Sequence, residues 1–209
     1  VSKINPNSYQ RGRNQKRVSG VCLVNKMFGR WDAILDTQPL ARDTPYLDGI
    51  WHYCRGGALI AKGDLRSARR ELGDLWKIIS LKNIDQNGVG PTPVSSILKL
   101  AARALSGEIK QSSGDLDAAI ADYEAAIAIE DKNAYIEPPD WPQPIRHYLG
   151  AALLEAGRAI DAEAVYRQDL SWHKNNGWAL FGLWQSLASQ GKSKEAKEVF
   201  NDFEYAWRN

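Results

Sequence analysis

Five glycines recur in one sequence frame, and they constrain the fold of this chain more than any other feature. Each ends a stretch with helical apolar spacing, and another such stretch begins within a few residues. The five are Gly29, Gly63, Gly114, Gly157 and Gly191. Successive glycines are separated by 34, 51, 43 and 34 residues. Because glycine readily adopts the left-handed conformation that ends a helix and lets the chain reverse, the frame predicts a series of helical hairpins.

Residue size around the glycines repeats as well. A small residue stands seven positions before the first four glycines, at Cys22, Gly56, Gly107 and Gly150. Alanine stands five positions after the last four, at Ala68, Ala119, Ala162 and Ala196. A bulky residue stands nine positions after the same four, at Leu72, Tyr123, Tyr166 and Phe200. The pattern predicts an all-α array of closely packed hairpins, in which each hairpin covers the apolar face of its neighbour.

This frame resembles the tetratricopeptide repeat (TPR) family, most clearly in the segment "HYLGAALLEAGRAIDAEAVY". The resemblance implies a right-handed α-solenoid of antiparallel helical hairpins, a TPR-like superhelix of about five units over residues 17–209. Trp184 departs from the family, which usually has a small residue there. The segments "FGRWDAIL" and "NNGWALFGL" are also similar to parts of larger bacterial proteins with these repeats, near their C-termini. This second resemblance implies that a further region precedes the chain.

The resemblance also implies that ligands contact the inner face of each unit's first helix. Counting back from the glycines gives the candidate groove residues Ile50, Tyr53, Ile60, Glu108, Gln111, His147, Leu154, Trp178, Phe181 and Gln185. This face is apolar and aromatic, and it lacks the lysine and asparagine clamp that some family members use for C-terminal carboxylates. We therefore expect a protein-interaction or assembly module whose partner is a protein or an extended apolar peptide.

Two insertions lengthen the spacing between units, at about residues 80–92 and 131–143. Both follow a second helix, so they are expected on the same edge of the array. The first is rich in Gly, Asn, Ser and Pro and is typical of a flexible loop. The second contains four prolines in "IEPPDWPQP", which stiffen it. It is a rigid spacer, a loop that contacts a ligand through Glu137 and Trp141, or a short proline ligand for another protein.

The C-terminal segment "VFNDFEYAWRN" places Phe203 and Trp207 on one helical stripe. Repeat arrays normally end in a polar capping helix, and no further helix follows this stripe in the sequence. The stripe either packs onto the helix before it or serves self-association, which would make the chain a homo-oligomer.

Charge and composition narrow the partner classes. The net charge of +2 is close to balance, so nucleic acid is not an expected partner. Basic residues are nevertheless concentrated in residues 1–16, which read as a flexible arm, or as a phosphate-binding one. No apolar run approaches the roughly 20 residues of a membrane span, so a membrane partner is not expected either. Cys22 and Cys54 are predicted to be free buried thiols, which favours a cytoplasmic location.

Catalytic motifs are missing from the sequence. The three histidines, His52, His147 and His173, fall in different units, and none is followed four residues later by a metal-ligand residue type. We therefore expect no cofactor, no metal and no catalysis. The alternative is a subunit of an enzyme or of a metal-handling protein, with its site at the edge formed by the two insertions.

One carboxylate falls where a helix seam is expected. Asp169 stands twelve residues after its glycine, where the neighbouring units have Ala126 and Phe203. A buried carboxylate is unfavourable unless it is paired, so we expect Asp169 to pair with Arg146 or Arg167.

Overall fold

The computed structural model describes residues 6–38, 44–86 and 88–208. These residues form ten α-helices and no strand, as the helical spacing predicted. The helices are α1 (Pro6–Met27), α2 (Trp31–Leu35), α3 (Pro45–Ala61), α4 (Leu65–Ile79), α5 (Val94–Ser112), α6 (Leu116–Glu130), α7 (Ile145–Glu155), α8 (Ala159–Trp172), α9 (Gly177–Ser189) and α10 (Ser193–Arg208).

The five frame glycines end the first helix of each successive pair. All five have positive φ angles, between 65° and 83°, which confirms the left-handed conformation predicted for them. At Gly63 the chain closes α3 with two backbone hydrogen bonds, from Gly63 N–H to Ile60 and from Asp64 N–H to Leu59. Asp64 then caps α4 by accepting the backbone N–H of Ser67 at 2.9 Å. The glycine and the residue after it thus end one helix and begin the next.

The small residues of the frame leave room for the rings of its bulky residues. A Cβ on Gly107 would lie 2.5 Å from the Tyr123 ring. Tyr166 is held from two sides, since a Cβ on Gly150 or on Gly182 would lie 2.4 Å or 2.1 Å from its ring. Only glycine leaves room for the tyrosine at these positions, which explains why small and bulky residues alternate in the frame.

Neighbouring pairs pack against each other, and three of the four junctions use both helices of the earlier pair, while the junction with α7 rests mainly on α6. First helices contact one another from α1 to α3, from α3 to α5 and from α7 to α9, and α4, α6 and α8 each contact the first helix of the following pair. The buried apolar side chains form one cluster from Cys22 to Ala196. Among the described helices, none has the length and apolarity needed to cross a bilayer.

The remaining segments connect these pairs. Of the predicted basic arm, residues 1–5 lie outside the described residues, and α1 begins at Pro6, so residues 6–16 are helical. The two longest connections between pairs run from α4 to α5 over residues 80–93 and from α6 to α7 over residues 131–144, and residue 87 of the first is not described.

Candidate functional site

The centre of the predicted groove is filled by the chain itself. Ile50, Tyr53 and His147 are at most 7% exposed. Ile60 and Leu154 are partly buried and pack against the core. A bound partner could reach the buried three only after the helices had moved apart.

A lysine from α1 lies at this centre. Lys26 donates to both carboxylate oxygens of Glu108 on α5, at 2.9 Å and 2.7 Å. Its Nζ also lies 4.7 Å from the ring centroid of Tyr53 and 5.3 Å from that of Tyr148. Burial acts to lower the pKa of Lys26, but the Glu108 carboxylate outweighs it and raises the pKa above its ordinary value. The ammonium group is therefore charged, paired and enclosed by aromatic rings.

Little space remains around this ion pair. The cavity beside it has a volume of about 10 Å³ and is bounded by Leu23, Trp141 and Tyr148 among others. That volume holds about one water molecule. The sequence frame contains a signal for Lys26, because the residue stands three positions before Gly29, at the inner-face position of the first pair. The candidate groove residues were counted only from Gly63 onward, so Lys26 was missed.

Other predicted groove positions also contact the chain itself. The Gln111 amide donates to Glu155 at 2.7 Å, and its oxygen accepts the Tyr123 hydroxyl at 2.9 Å. Gln185 is exposed on α9. Of the ten predicted groove residues, Trp178, Phe181 and Gln185 are exposed.

The proline-rich connection turns its tryptophan inward. Trp141 is 7% exposed, and its ring centroid lies 5.0 Å from that of Tyr53. Its neighbour Asp140 is buried and forms an ion pair with Lys16 of α1. Glu137 is exposed and accepts a hydrogen bond from Tyr135. Trp141 therefore packs in the interior and is not available to a ligand. Of the two residues of the predicted loop site, Glu137 is the one exposed to solvent.

Asp169 has a different partner from the two expected. It is fully buried, and its carboxylate pairs with His147 Nε2 at 2.9 Å and His173 Nδ1 at 3.0 Å. Burial acts to raise the pKa of Asp169, but the hydrogen bonds and charges of His147 and His173 together outweigh it and leave the pKa below its usual value. The expected pairing with Arg146 or Arg167 is wrong.

The two arginines are engaged elsewhere. Arg146 makes a bidentate pair with Asp131 at 2.8 Å and 2.7 Å, and its guanidinium lies 4.4 Å from the ring centroid of Trp172. Arg167 pairs with Glu163 at 2.9 Å and with Glu195 at 3.0 Å. Successive residues of a helix point about 100° apart, so His147 faces Asp169 while Arg146 is turned to the end of α6.

Glu130 caps the start of α7 in a partly buried position. Its carboxylate accepts the backbone N–H of Ile145 at 3.2 Å, and its side chain is 19% exposed. Burial raises the pKa of Glu130 to about 7, and the hydrogen bond from Ile145 and the charge of Arg146 only partly offset this effect. The folded state therefore holds a proton on Glu130 at pH values where the unfolded chain does not.

We expect Glu130→Gln to make stability less dependent on pH. Because the pKa of Glu130 is raised in the folded state, the wild-type chain loses stability as pH rises from about 4.5 through 7. Relative to the wild type, the glutamine variant should gain about 2 kcal/mol between pH 5 and pH 8, measured by urea unfolding. The control is Glu124→Gln on the exposed face of the same helix. Its difference from the wild type in free energy of unfolding should be the same at both pH values. A Glu130→Gln difference that does not change with pH would contradict the prediction.

An extended aromatic cluster lies where α9, α10 and the end of α1 meet. Its seven rings are Phe28, Trp178, Phe181, Trp184, Phe200, Phe203 and Trp207. Neighbouring ring centroids in it are 5.0–6.2 Å apart. We call this cluster the aromatic surface, because four of its rings remain 37–55% exposed. Those four are Phe28, Trp178, Phe181 and Trp207.

The aromatic surface joins residues that the sequence assigned to two separate sites. Phe203 of α10 packs on Phe181 of α9 at 5.3 Å, and Trp207 packs on Trp178 at 5.0 Å. The C-terminal stripe therefore does pack onto the helix before it, yet Trp207 keeps 50% of its surface exposed. A Cβ on Gly177 would lie 2.3 Å from Trp207 Nε1, so the glycine at the start of α9 makes room for the indole.

The described part of the chain has few groups that could serve as a reactive thiol or as a metal site. Cys22 and Cys54 are free and buried, as predicted. Within residues 6–38, 44–86 and 88–208, no group of three or more His, Cys, Asp or Glu side chains is arranged to hold a metal ion. Comparisons of the chain with protein-family models, with curated proteins and with solved structures found no match.

Proposed function

We propose that this protein is a non-catalytic interaction module, a right-handed TPR-like solenoid of five helical hairpins that binds a partner protein on its aromatic surface. The observation that carries the proposal is the exposure of Trp178, Phe181 and Trp207 in one continuous cluster of rings. The partner is a protein segment with apolar or aromatic side chains.

The helix pairs support the solenoid part of this proposal. Each pair is divided by a glycine in the left-handed conformation, and the second helix of each of the first four pairs packs on the first helix of the next pair. A hairpin in such an array has an apolar face that its neighbours cover. The aromatic surface lies mainly on the pair formed by α9 and α10, and Phe28 joins it from the end of α1.

Physical chemistry favours the aromatic surface over the centre of the predicted groove. The groove centre is occupied by Lys26 and Glu108, and opening it would expose a buried ion pair. The aromatic surface is already open. Tryptophan and tyrosine dominate binding energy at interfaces, because each buries a large area with few rotatable bonds. Gln185, exposed on the same helix, can donate to and accept from the backbone of a bound segment.

A displayed library of random peptides tests this proposal. Selection on the wild-type chain should return peptides rich in apolar and aromatic residues. Trp178→Ala should weaken their binding about 30-fold, the effect of losing an interface anchor of roughly 2 kcal/mol. Trp76→Ala is the matched control, since Trp76 of α4 is 38% exposed and lies 5.9 Å from Arg103, outside the aromatic surface.

Two outcomes would contradict the proposal. One is selected peptides without apolar character, and the other is binding that Trp178→Ala leaves unchanged while circular dichroism shows an intact helical fold. Self-association through Phe203 and Trp207 remains a separate prediction. Sedimentation velocity would detect it as a change of mass with concentration that Trp207→Ala removes.

A further inference from the structure

An apolar pocket lies between the first helix pair and α3, and the proposed function makes no use of it. It is open to solvent along α1, where Val18 and Val21 are exposed, and we call it the cavity. Its volume is about 330 Å³, at the lower end of the roughly 300–1,000 Å³ typical of small-molecule sites. Its apolar lining includes Val18, Val21, Cys22, Ile34 and Trp51. An apolar cavity of this size favours a ligand with an apolar body.

Polar groups stand at two places along this cavity. Arg17 and Asn25 belong to its lining and are eight residues apart on α1, a separation of about 12 Å at a rise of 1.5 Å per residue. Arg17 is exposed and forms no ion pair with a described carboxylate. Guanidinium groups bind carboxylates through two parallel hydrogen bonds, so Arg17 provides a place for an anionic head group.

The other polar lining residue is already engaged. The Thr37 hydroxyl donates to the Ile34 carbonyl at 2.6 Å, and the Thr37 carbonyl accepts the Trp51 indole N–H at 3.4 Å. Arg17 is therefore the charged group of the lining, and it favours a ligand with a negative charge.

We infer that this cavity binds a small amphiphilic carboxylate, with its head group on Arg17 and an alkyl chain of about ten carbons lying along Val18 and Val21 against Ile34 and Trp51. The chain length matches the stretch of α1 that the lining covers, about 12 Å of helix from residue 17 to residue 25. The valines form the floor of the site on α1, and Ile34 and Trp51 form its walls on α2 and α3.

Calorimetric titration of the full chain with decanoate, decanol and decyltrimethylammonium, each below its micelle concentration, tests the inference. Decanoate should bind with a stoichiometry of one. Arg17→Gln should weaken decanoate at least ten-fold while leaving decanol unchanged, because only the carboxylate uses the guanidinium group. Equal binding of decanoate and decyltrimethylammonium would overturn the assignment of an anionic ligand.

A pair of substitutions on α1 locates the site. Val21 is 64% exposed at the cavity, so Val21→Trp should fill the cavity without disturbing the core and abolish the binding of both decanoate and decanol. Val24→Trp is the matched control, since Val24 is 45% exposed on the same helix and is not part of the lining. Val18→Trp gives a second test if Val21→Trp fails to fold. Absence of saturable decanoate binding, or binding that both cavity variants retain, would overturn the inference.

Discussion

Replacing Glu108 by alanine is expected to lower the free energy of unfolding by about 3–5 kcal/mol, because it leaves the Lys26 ammonium buried without its counter-charge. The side chain of Lys26 is 5% exposed and that of Glu108 is 14% exposed. The only carboxylate that Lys26 pairs with among the described residues is Glu108, and a water entering the vacated space would supply no counter-charge. Urea unfolding at pH 7 measures the loss.

Two further variants separate the ion pair from general damage. Replacing both partners, Lys26→Met with Glu108→Leu, should restore most of the stability, since an apolar pair of similar size needs no counter-charge. Asp32→Ala breaks an exposed ion pair, in which the Asp32 side chain is 81% exposed and that of Lys62 is 45% exposed. This control should change the free energy of unfolding by less than about 1 kcal/mol. A loss below about 1 kcal/mol for Glu108→Ala would show that the helices move apart easily.

The pH dependence of this pair follows from the direction of its pKa shift. The pKa of Lys26 is raised in the folded state, so its contribution to stability is complete below the unfolded pKa of about 10.4. It is lost only as pH rises through the higher folded value. The difference between the wild type and Glu108→Ala should therefore persist across neutral pH.

The second large effect is expected at the buried carboxylate of α8. His147→Ala should cost about 3–5 kcal/mol at pH 7, because Asp169 is fully buried and would keep only His173, which is half exposed. The pKa of Asp169 is lowered in the folded wild type, so its contribution is present above about pH 3.9 and is lost as pH falls through the folded value. Without His147, burial dominates and raises that pKa. The difference between the two proteins should therefore be larger at pH 7 than at pH 4.5.

His52→Ala is the matched control for this prediction. His52 pairs with Glu71 at 2.6 Å, but Glu71 also accepts from Arg55 at 2.9 Å and so keeps a charged partner. The control should cost far less than His147→Ala. Adding Asp169→Ala to His147→Ala should recover part of the loss, and a double variant that is simply additive would contradict the pairing.

The local structure could be predicted from the sequence because each element depends on nearby residues. The conformation of the five glycines, the helix pairs and the contact of Tyr166 with Gly150 all follow from offsets within one hairpin, whereas the contact of Tyr166 with Gly182 of the next pair was not predicted. The need for a partner at Asp169 was predictable for the same reason. Its identity was not, because the choice between Arg146 and His147 depends on how α7 is rotated about its own axis.

The candidate sites were harder to predict, because they join residues distant in sequence. Lys26 and Glu108 are 82 residues apart, and the hydroxyls of Tyr53 and Tyr148, 95 residues apart, lie within 3.5 Å. Such contacts depend on the angles between successive pairs, and small differences in each angle accumulate along the chain. The aromatic surface depends on them too, since Phe28 meets Trp178 only through the path of all the helices between them.

The contact between Phe28 and Trp178, with ring centroids 6.0 Å apart, has a consequence for folding and for evolution. A linear array whose units meet only their neighbours has low contact order, and units can be added or lost with little effect on the rest. Here the pair α1 and α2 touches the pair α9 and α10, so folding must close a long loop before that contact forms. Duplicating or deleting a unit between them would move Phe28 away from Trp178. The contact therefore opposes a change in the number of intervening units, and we expect the two pairs that it joins to unfold together.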